Sequence, residues 1–169
     1  MNSKRIEHVT HECIPIFINN DSEILILGSL PSIKSREDGF YYAHSRNRFF
    51  LTLSHVFNEY EPKTIDERKK FLLTHHIALY DVVYSCDIHA SSDASISNVR
   101  VIDLATILSN YPNIKTIALN GGKAKELFDK YLLPVIKDNN LKIVYLPSTS
   151  PANARIIQNE LDLKYKEIL

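Results

Sequence analysis

The feature that most constrains the fold is an alternation of four short apolar segments with stretches of helical periodicity. The apolar segments cover residues 23–27, 77–83, 114–119 and 141–146. Short runs of leucine, isoleucine and valine are typical of strands that are buried on both faces of a parallel sheet. The alternation therefore predicts an α/β protein, a three-layer α/β/α sandwich with a central four-stranded parallel sheet.

The remaining segments are assigned from capping and turn signals. Thr64 and Glu67 form a capping-box pattern that predicts a helix to about Thr74, and Asn47 is a candidate N-cap for the helix before it. Further helices are predicted near residues 100–109, 123–132 and 152–167. The whole chain, residues 1–169, is predicted to be one domain. Residues 1–21 are predicted to form its amino-terminal helix or arm. Residues 29–39 and 84–98 are predicted to be loops.

Composition narrows the functional classes. The chain has 169 residues, of which 44% are hydrophobic, and its formal net charge is +0. It has no apolar run near the ~20 residues that span a bilayer, and its amino terminus has no signal-peptide pattern. With two cysteines in no C-x-x-C pair, neither an iron–sulfur cluster nor a disulfide framework is expected. We expect a cytoplasmic protein without membrane contact.

A possible metal cluster lies ahead of the first apolar segment. His8, His11, Glu12 and Cys13 have the right residue types, but their spacing matches no familiar zinc pattern. We therefore expect no metal site and no cofactor.

Four loops are predicted to meet at one edge of the sheet. In open parallel sheets ligands bind outside the carboxyl ends of the strands. Residues 28–50, 80–98, 119–123 and 146–155 follow those ends and are predicted to line a common crevice. Asp81 lies near the carboxyl end of its strand, so its carboxylate either joins a buried hydrogen-bond network or faces the crevice.

The stretch 39–50 combines residues that neither a strand nor an ordinary loop needs. Five aromatic residues surround a polar run that contains Arg46, Asn47 and Arg48. Aromatic faces can stack on bases and cations can hold phosphates. The plainer alternatives are that Asn47 caps a helix and that Tyr41 and Tyr42 lie at the edge of the core.

Two further loops have ordinary explanations as well. Residues 28–32 (GSLPS) can turn the chain or cradle a phosphate, but they lack the lysine of a P-loop, and Ser29 is not in a nucleophile elbow. Residues 147–153 (PSTSPAN) contain helix-capping residue types, whereas their prolines make the loop stiff enough to press on a rigid partner.

These three segments together resemble the uracil-DNA glycosylase superfamily. The motifs are GSLPS at 28–32, YYAHSRNRFF at 41–50 and LPSTSPAN at 146–153, and the resemblance spans about residues 22–165. The branch that they resemble most is the hypoxanthine-DNA (deoxyinosine) glycosylase family. The second motif is the most specific of the three.

The resemblance implies a site and a reaction. It implies an enzyme that flips a deaminated base out of DNA and hydrolyses its N-glycosidic bond. The implied catalytic residue is Asn47. The implied base-binding residues are Ser29, Leu30, Tyr42 and Asp81. The implied DNA-binding residues are Arg46, Arg48, Ser148, Ser150, Pro151 and Asn153. DNA is the implied partner, and a monomer that associates with the nucleoid while acting is expected.

Two departures from the superfamily bear on the substrate. Many members carry an acid or amide in the first loop where this chain has Leu30, and uracil-specialised members carry a histidine where it has Leu146. The hypoxanthine branch shares the first departure, and there the asparagine that corresponds to Asn47 is implicated in catalysis. Deoxyinosine is therefore the expected substrate. The alternatives are a uracil or broad-specificity glycosylase and a non-catalytic module that binds nucleotides or damaged DNA.

Overall fold

The strands of this computed structural model form two sheets. It describes residues 6–89, 96–137 and 140–169. The described strands are β1 (Ile6–Thr10), β2 (Ile24–Gly28), β3 (Ile77–Asp81), β4 (Val83–His89), β5 (Ile96–Val101), β6 (Thr116–Asn120) and β7 (Lys142–Leu146). Four of them make a parallel sheet in the order β3-β2-β6-β7. The predicted α/β fold with a central four-stranded parallel sheet is confirmed.

Burial explains why the parallel strands read as continuous apolar runs. Every residue of β3 and of β6 is buried, and Leu25, Ile26 and Leu27 of β2 have no exposed surface. Both faces of this sheet are therefore covered, so side chains that point in either direction must be apolar. The register pairs Gly28 with Asp81, which brings the loops after β2 and β3 together.

The second sheet is antiparallel, in the order β1-β4-β5, and the sequence pattern does not predict it. The predicted loop at 84–98 is wrong over 84–89, which belong to β4, and over 96–98, which belong to β5; residues 90–95 lie outside the described residues. The segment 1–21, predicted as a helix or an arm, contains β1 and a 3₁₀ turn, His11–Cys13. Residues 1–5 are likewise outside the description.

Helices flank the parallel sheet. They are α1 (Ile33–Asp38), α2 (Phe49–Phe57), α3 (Ile65–Thr74), α4 (Leu104–Asn110), α5 (Gly122–Tyr131) and α6 (Gln158–Tyr165). Helix α3 contacts β3, α5 contacts β6, and α2 packs on α6. The capping box at Thr64 and Glu67 is confirmed. No helix among the described ranges has the length and apolar content to cross a membrane.

Two helical segments differ from the sequence prediction. Helix α1 replaces part of the loop predicted over 29–39; the Ser32 hydroxyl accepts from Ser35 N–H, and Gly39 ends the helix at φ 70°. One short helical turn with a cap at each end is too brief to give a periodic signal. Helix α6 begins at Gln158 rather than near residue 152, because residues 147–157 form an ordered loop.

Candidate active site

The loops at the carboxyl edge of the parallel sheet enclose a cavity of about 600 Å³. The lining residues come from 28–36, 41–47, 120–124 and 148–153, together with Glu7, Asp81 and Ile88. Its volume lies within the range of ligand pockets, which is ~300–1,000 Å³. The crevice expected from the strand order is therefore present, although β1 and β4 add walls that the sequence did not suggest.

Asp81 is held close to Gly28 at the inner wall of the pocket. Val82 N–H donates to Gly28 O over 2.9 Å, so the chain after β3 runs beside the end of β2. A Cβ on residue 28 would lie 2.3 Å from Asp81 Oδ1. Glycine is therefore needed here for close approach rather than for an unusual φ. Asp81 as a whole residue is 5% exposed and lines the cavity, as the crevice alternative for Asp81 requires.

The Tyr42 ring has one face covered and lines the cavity. Phe49 stacks on it with ring centroids 3.8 Å apart and an interplanar angle of 17°, and Phe49 does not line the pocket. Burial raises the pKa of the Tyr42 hydroxyl far above its usual value, and the charge of Asp81 adds to the rise. A neutral phenol ring backed by a second ring can stack on a planar base.

The Tyr42 backbone is in the left-handed region, with φ 52°. A bulky residue at positive φ is an outlier that the surrounding structure must hold in place. Such strain is found at ligand sites, and here it accompanies the ring that faces the cavity.

The side chain of Asn47 serves the backbone and lines the pocket. Its Oδ1 accepts a hydrogen bond from Phe49 N–H at 3.0 Å, just ahead of α2. Asn47 therefore bonds a backbone N–H at the start of the helix, as the helix-cap interpretation predicts. The N-cap position itself is occupied by Arg48. An amide oxygen has two lone pairs, so a second hydrogen bond from water is available to Oδ1. The backbone bond fixes the orientation of the amide.

Arg48 anchors the last loop instead of pointing into solvent. Its guanidinium donates to Ile156 O at 2.8 Å and to Asn153 O at 2.9 Å. Its backbone N–H donates to Thr149 O at 3.1 Å. The resemblance implied a DNA contact for Arg48, whereas its contacts in the structure support an anchoring role within the protein.

The cations near residue 40 are mostly paired within the protein. Lys34 lies 2.8 Å from Asp38, and Arg36 lies 2.7 Å from Glu7. Arg46 is exposed, and its backbone N–H donates to His44 Nδ1 at 3.1 Å. Within this group, Arg46 is the cation best placed to meet a phosphate.

The last loop is shaped by its own polar side chains. Ser148 Oγ accepts from Ser150 N–H at 3.1 Å, Ser150 Oγ accepts from Ala152 N–H at 3.2 Å, and Asn153 Nδ2 donates to Ser148 O at 3.0 Å. None of them caps α6, whose N-cap is Ile157. All three line the cavity with Pro151, so this loop forms a preshaped rim.

Asn120 lines the pocket and was not singled out from the sequence. Its Nδ2 donates to Thr149 Oγ1 at 3.0 Å, and Thr149 N–H donates to its Oδ1 at 3.1 Å. Both residues are buried, so this pair ties the end of β6 to the last loop. The only sequence indication of its role was that Asn120 is a polar residue directly after the apolar run 114–119. An asparagine before two glycines also fits a simple turn, so this position did not stand out.

Comparison with known proteins agrees with this geometry. The family model of the uracil DNA glycosylase superfamily matches residues 15–167. The chain belongs to the uracil DNA glycosylase superfamily. A hypoxanthine DNA glycosylase of Methanosarcina acetivorans is 32% identical over 146 residues, which are 86% of this chain and 89% of that protein. A hypoxanthine DNA glycosylase of Methanosarcina barkeri is 28% identical over 146 residues, which are again 86% of this chain and 89% of that protein.

A solved structure of this superfamily has the same fold. It is the solution NMR structure of a Methanosarcina acetivorans protein that is described as a candidate uracil DNA glycosylase. The match has a TM-score of 0.76 and 28% identity, and covers 92% of this chain and 96% of that one. The resemblance inferred from the three motifs is thus confirmed for the family and the fold.

The glycosylase pocket lacks an acid on its first loop. Ser29 and Leu30 line the cavity at that loop, and Leu146 is buried at the end of β7. Several polar groups line the pocket, among them the Asp81 carboxylate and the Asn47 and Asn120 amides. An uncharged amide cannot take a proton at neutral pH, so Asn47 can orient a water molecule but cannot act as a general base.

Proposed function

We propose that this protein is a monofunctional DNA glycosylase that removes hypoxanthine from deoxyinosine in DNA. The observation that carries the proposal is that a ring, a carboxylate and an amide, from Tyr42, Asp81 and Asn47, line one pocket. Two relatives with 28–32% identity are described as hypoxanthine DNA glycosylases. A target base must be rotated out of the duplex to enter such a pocket.

The pocket supports a specific orientation of the flipped base. The free face of Tyr42 stacks on hypoxanthine, and base–aromatic stacking contributes ~1–3 kcal/mol. Asp81 accepts the N1–H of the base through its pocket-facing Oδ1. Ser29 and Leu30 close the pocket beside the base.

Asn47 acts on the sugar side of the base. Its Oδ1 accepts a hydrogen bond from water, and this bond turns a lone pair of the water oxygen toward C1′. The C1′–N9 bond breaks with its electron pair going to the base, the water oxygen bonds to the oxocarbenium-like C1′, and the released proton ends on the base. The products are free hypoxanthine and an abasic site.

The direct test is base release from an oligonucleotide with one deoxyinosine, followed by alkaline cleavage of the abasic site. We expect cleavage at the deoxyinosine, and slower or no cleavage of matched oligonucleotides with uracil, xanthine or an unmodified base. Equal or faster release of uracil would indicate a uracil or broad-specificity glycosylase. Binding without release, even with enzyme in excess, would indicate the non-catalytic module.

We expect DNA binding to depend on salt through Arg46. Each phosphate contact on B-DNA contributes about −0.9 to the slope of log K against log salt, so Arg46→Gln should make the slope shallower by about one. Lys115→Gln is the matched control, because Lys115 precedes β6 at the opposite edge of the sheet. Fluorescence anisotropy at several salt concentrations measures both slopes. Equal slopes for Arg46→Gln and the wild type would contradict a phosphate contact by Arg46.

The proposed substrate also sets the expected context. We infer that the protein acts as a monomer on chromosomal DNA, in the cytoplasm and in association with the nucleoid. Besides Arg46, the preshaped rim of Ser148, Ser150, Pro151 and Asn153 is the surface proposed to press on the DNA backbone, with Arg48 holding that rim in place. Size-exclusion chromatography with light scattering measures the oligomeric state.

A further inference from the structure

A buried histidine lies behind the wall of the pocket, in contact with Asp81. His11 begins the 3₁₀ turn after β1, and its Nε2 lies 3.0 Å from Asp81 Oδ2. The two side chains are 0% and 6% exposed. The contact has the distance of an ion pair without the alignment of a hydrogen bond, and neither atom has another partner among the described residues. His11 itself does not line the pocket.

The contacts of the imidazole fix the number of protons that it shares with Asp81. His11 Nδ1 lies 2.8 Å from Ile14 O, and a carbonyl oxygen only accepts, so Nδ1 carries a proton. In a neutral ring Nε2 would then present a lone pair to the lone pairs of an ionised Asp81. Two lone pairs at 3.0 Å repel each other. The imidazole and the carboxylate must therefore hold one further proton, so the pair is neutral as a whole.

The surroundings of this pair leave His11 as the source of positive charge. The titratable groups that face it are Tyr41, Tyr42, Tyr80 and, in the same turn as His11, Cys13. Burial raises the pKa of Tyr41 and of Tyr42, so both remain neutral phenols. The nearby cation Arg36 is itself paired with Glu7 at 2.7 Å. In the apolar interior a carboxylate needs such a partner to stay ionised.

We propose that His11 is a positioning residue that keeps Asp81 ionised and thereby makes the pocket reject adenine. The inference rests on the proposed function, in which Oδ1 of Asp81 faces N1 of the flipped base. Deamination of adenine to hypoxanthine changes N1 from an acceptor to an N–H donor. A carboxylate that only accepts binds hypoxanthine N1–H and repels the lone pair of adenine N1. A protonated Asp81 would instead donate to adenine N1.

The two carboxylate oxygens divide these tasks. Oδ2 contacts His11 on the buried side, whereas Oδ1 lies over Gly28. A partner that occupies Oδ2 alone fixes the plane of the carboxylate and leaves Oδ1 free for the base. This arrangement explains why a histidine with no surface in the pocket can affect which base is accepted.

The test compares wild type with His11→Leu and His11→Gln. Leucine removes the donor, whereas the glutamine amide can donate to the same Asp81 oxygen at every pH. Binding is measured to single-stranded oligonucleotides that carry deoxyinosine or deoxyadenosine on a 2′-fluoro sugar, which slows cleavage by destabilising the oxocarbenium ion. We expect His11→Leu to narrow the preference for deoxyinosine by roughly tenfold, the effect of ~1.4 kcal/mol, and His11→Gln to restore part of it.

The kinetics of deoxyinosine release give an independent readout. We expect His11→Leu to raise KM more than it lowers kcat, because the bond between Asp81 and N1–H holds the base, and we expect His11→Gln to recover part of this change. Thermal melting checks that each variant is folded, and His11→Met, which also lacks a donor, keeps the test decisive if His11→Leu does not fold.

The outcomes separate this inference from the proposed function. An unchanged base preference in folded His11→Leu or His11→Met would overturn the role of His11. A wild-type enzyme that releases no hypoxanthine at any pH would instead overturn the proposed function. A wild-type enzyme that releases hypoxanthine while both variants match it would leave the function standing and remove His11 from it.

Discussion

Asn47→Ala is expected to lower the single-turnover rate on deoxyinosine by about 100-fold or more while the protein stays folded. In the proposed mechanism the pocket has no acid on its first loop, and the Asn47 amide orients the water against C1′. Misplacing a reacting group by about 1 Å can cost ~100-fold in rate. Rapid-quench measurements with enzyme in excess report the chemical step without a contribution from product release.

The competing explanation of Asn47 is that its bond to Phe49 N–H only caps α2. Loss of a cap costs about 0.5–2 kcal/mol of stability and should leave turnover nearly intact. Asn58→Ala is a matched control, because Asn58 ends the same helix in the left-handed region with φ 54°. Alanine there destabilises α2 by a similar amount, about 1–2 kcal/mol, away from the pocket. Equal rate losses in the two variants would assign Asn47 to structure alone.

The parallel sheet could be predicted from the sequence because β2, β3 and β6 are almost entirely buried. Most of their residues are therefore apolar, and such a short apolar run can be recognised without knowing its partner strand. The antiparallel sheet could not be predicted from the sequence, because β1 and β4 mix polar with apolar residues. These two paired strands are also separated by most of the first half of the chain. The contact between His8 and Asp87 at 2.7 Å, one of the cross-strand pairs that hold these strands together, has no local signal.

In the site, too, features within one short segment could be predicted from the sequence, whereas contacts between distant segments could not. Tyr42 and Asn47 lie in one motif, and Asp81 was noticeable as a carboxylate in an apolar run. Arg48 was predicted to bind DNA, and its bonds to carbonyls more than 100 residues away along the chain could not be inferred from the sequence. His11 was considered only as a metal ligand. Its contact with Asp81 arises because the 3₁₀ turn after β1 packs behind β3. The spacing of residues in the sequence gives no indication of this packing.

The second large effect is expected at Asp81. Asp81→Ala removes the acceptor for N1–H and leaves polar groups of the base unpaired in a closed pocket, which costs ~1–3 kcal/mol. We therefore expect deoxyinosine turnover to fall by roughly tenfold or more. The same change also leaves His11 Nε2 without its neighbour, so melting temperature must be measured beside the rate.

Asp81→Asn separates base reading from structure, because it keeps the shape of the side chain. Its amide can donate to His11 Nε2 or to a base carbonyl, and it can still accept an N–H. Uracil has a carbonyl on each side of N3–H, whereas hypoxanthine has one beside N1–H, so a donor at this position favours uracil. We expect the ratio of hypoxanthine to uracil release to fall in Asp81→Asn. If Asp81 serves only the fold, both variants will lose stability and neither will change that ratio; an unchanged ratio in folded Asp81→Asn would refute base reading.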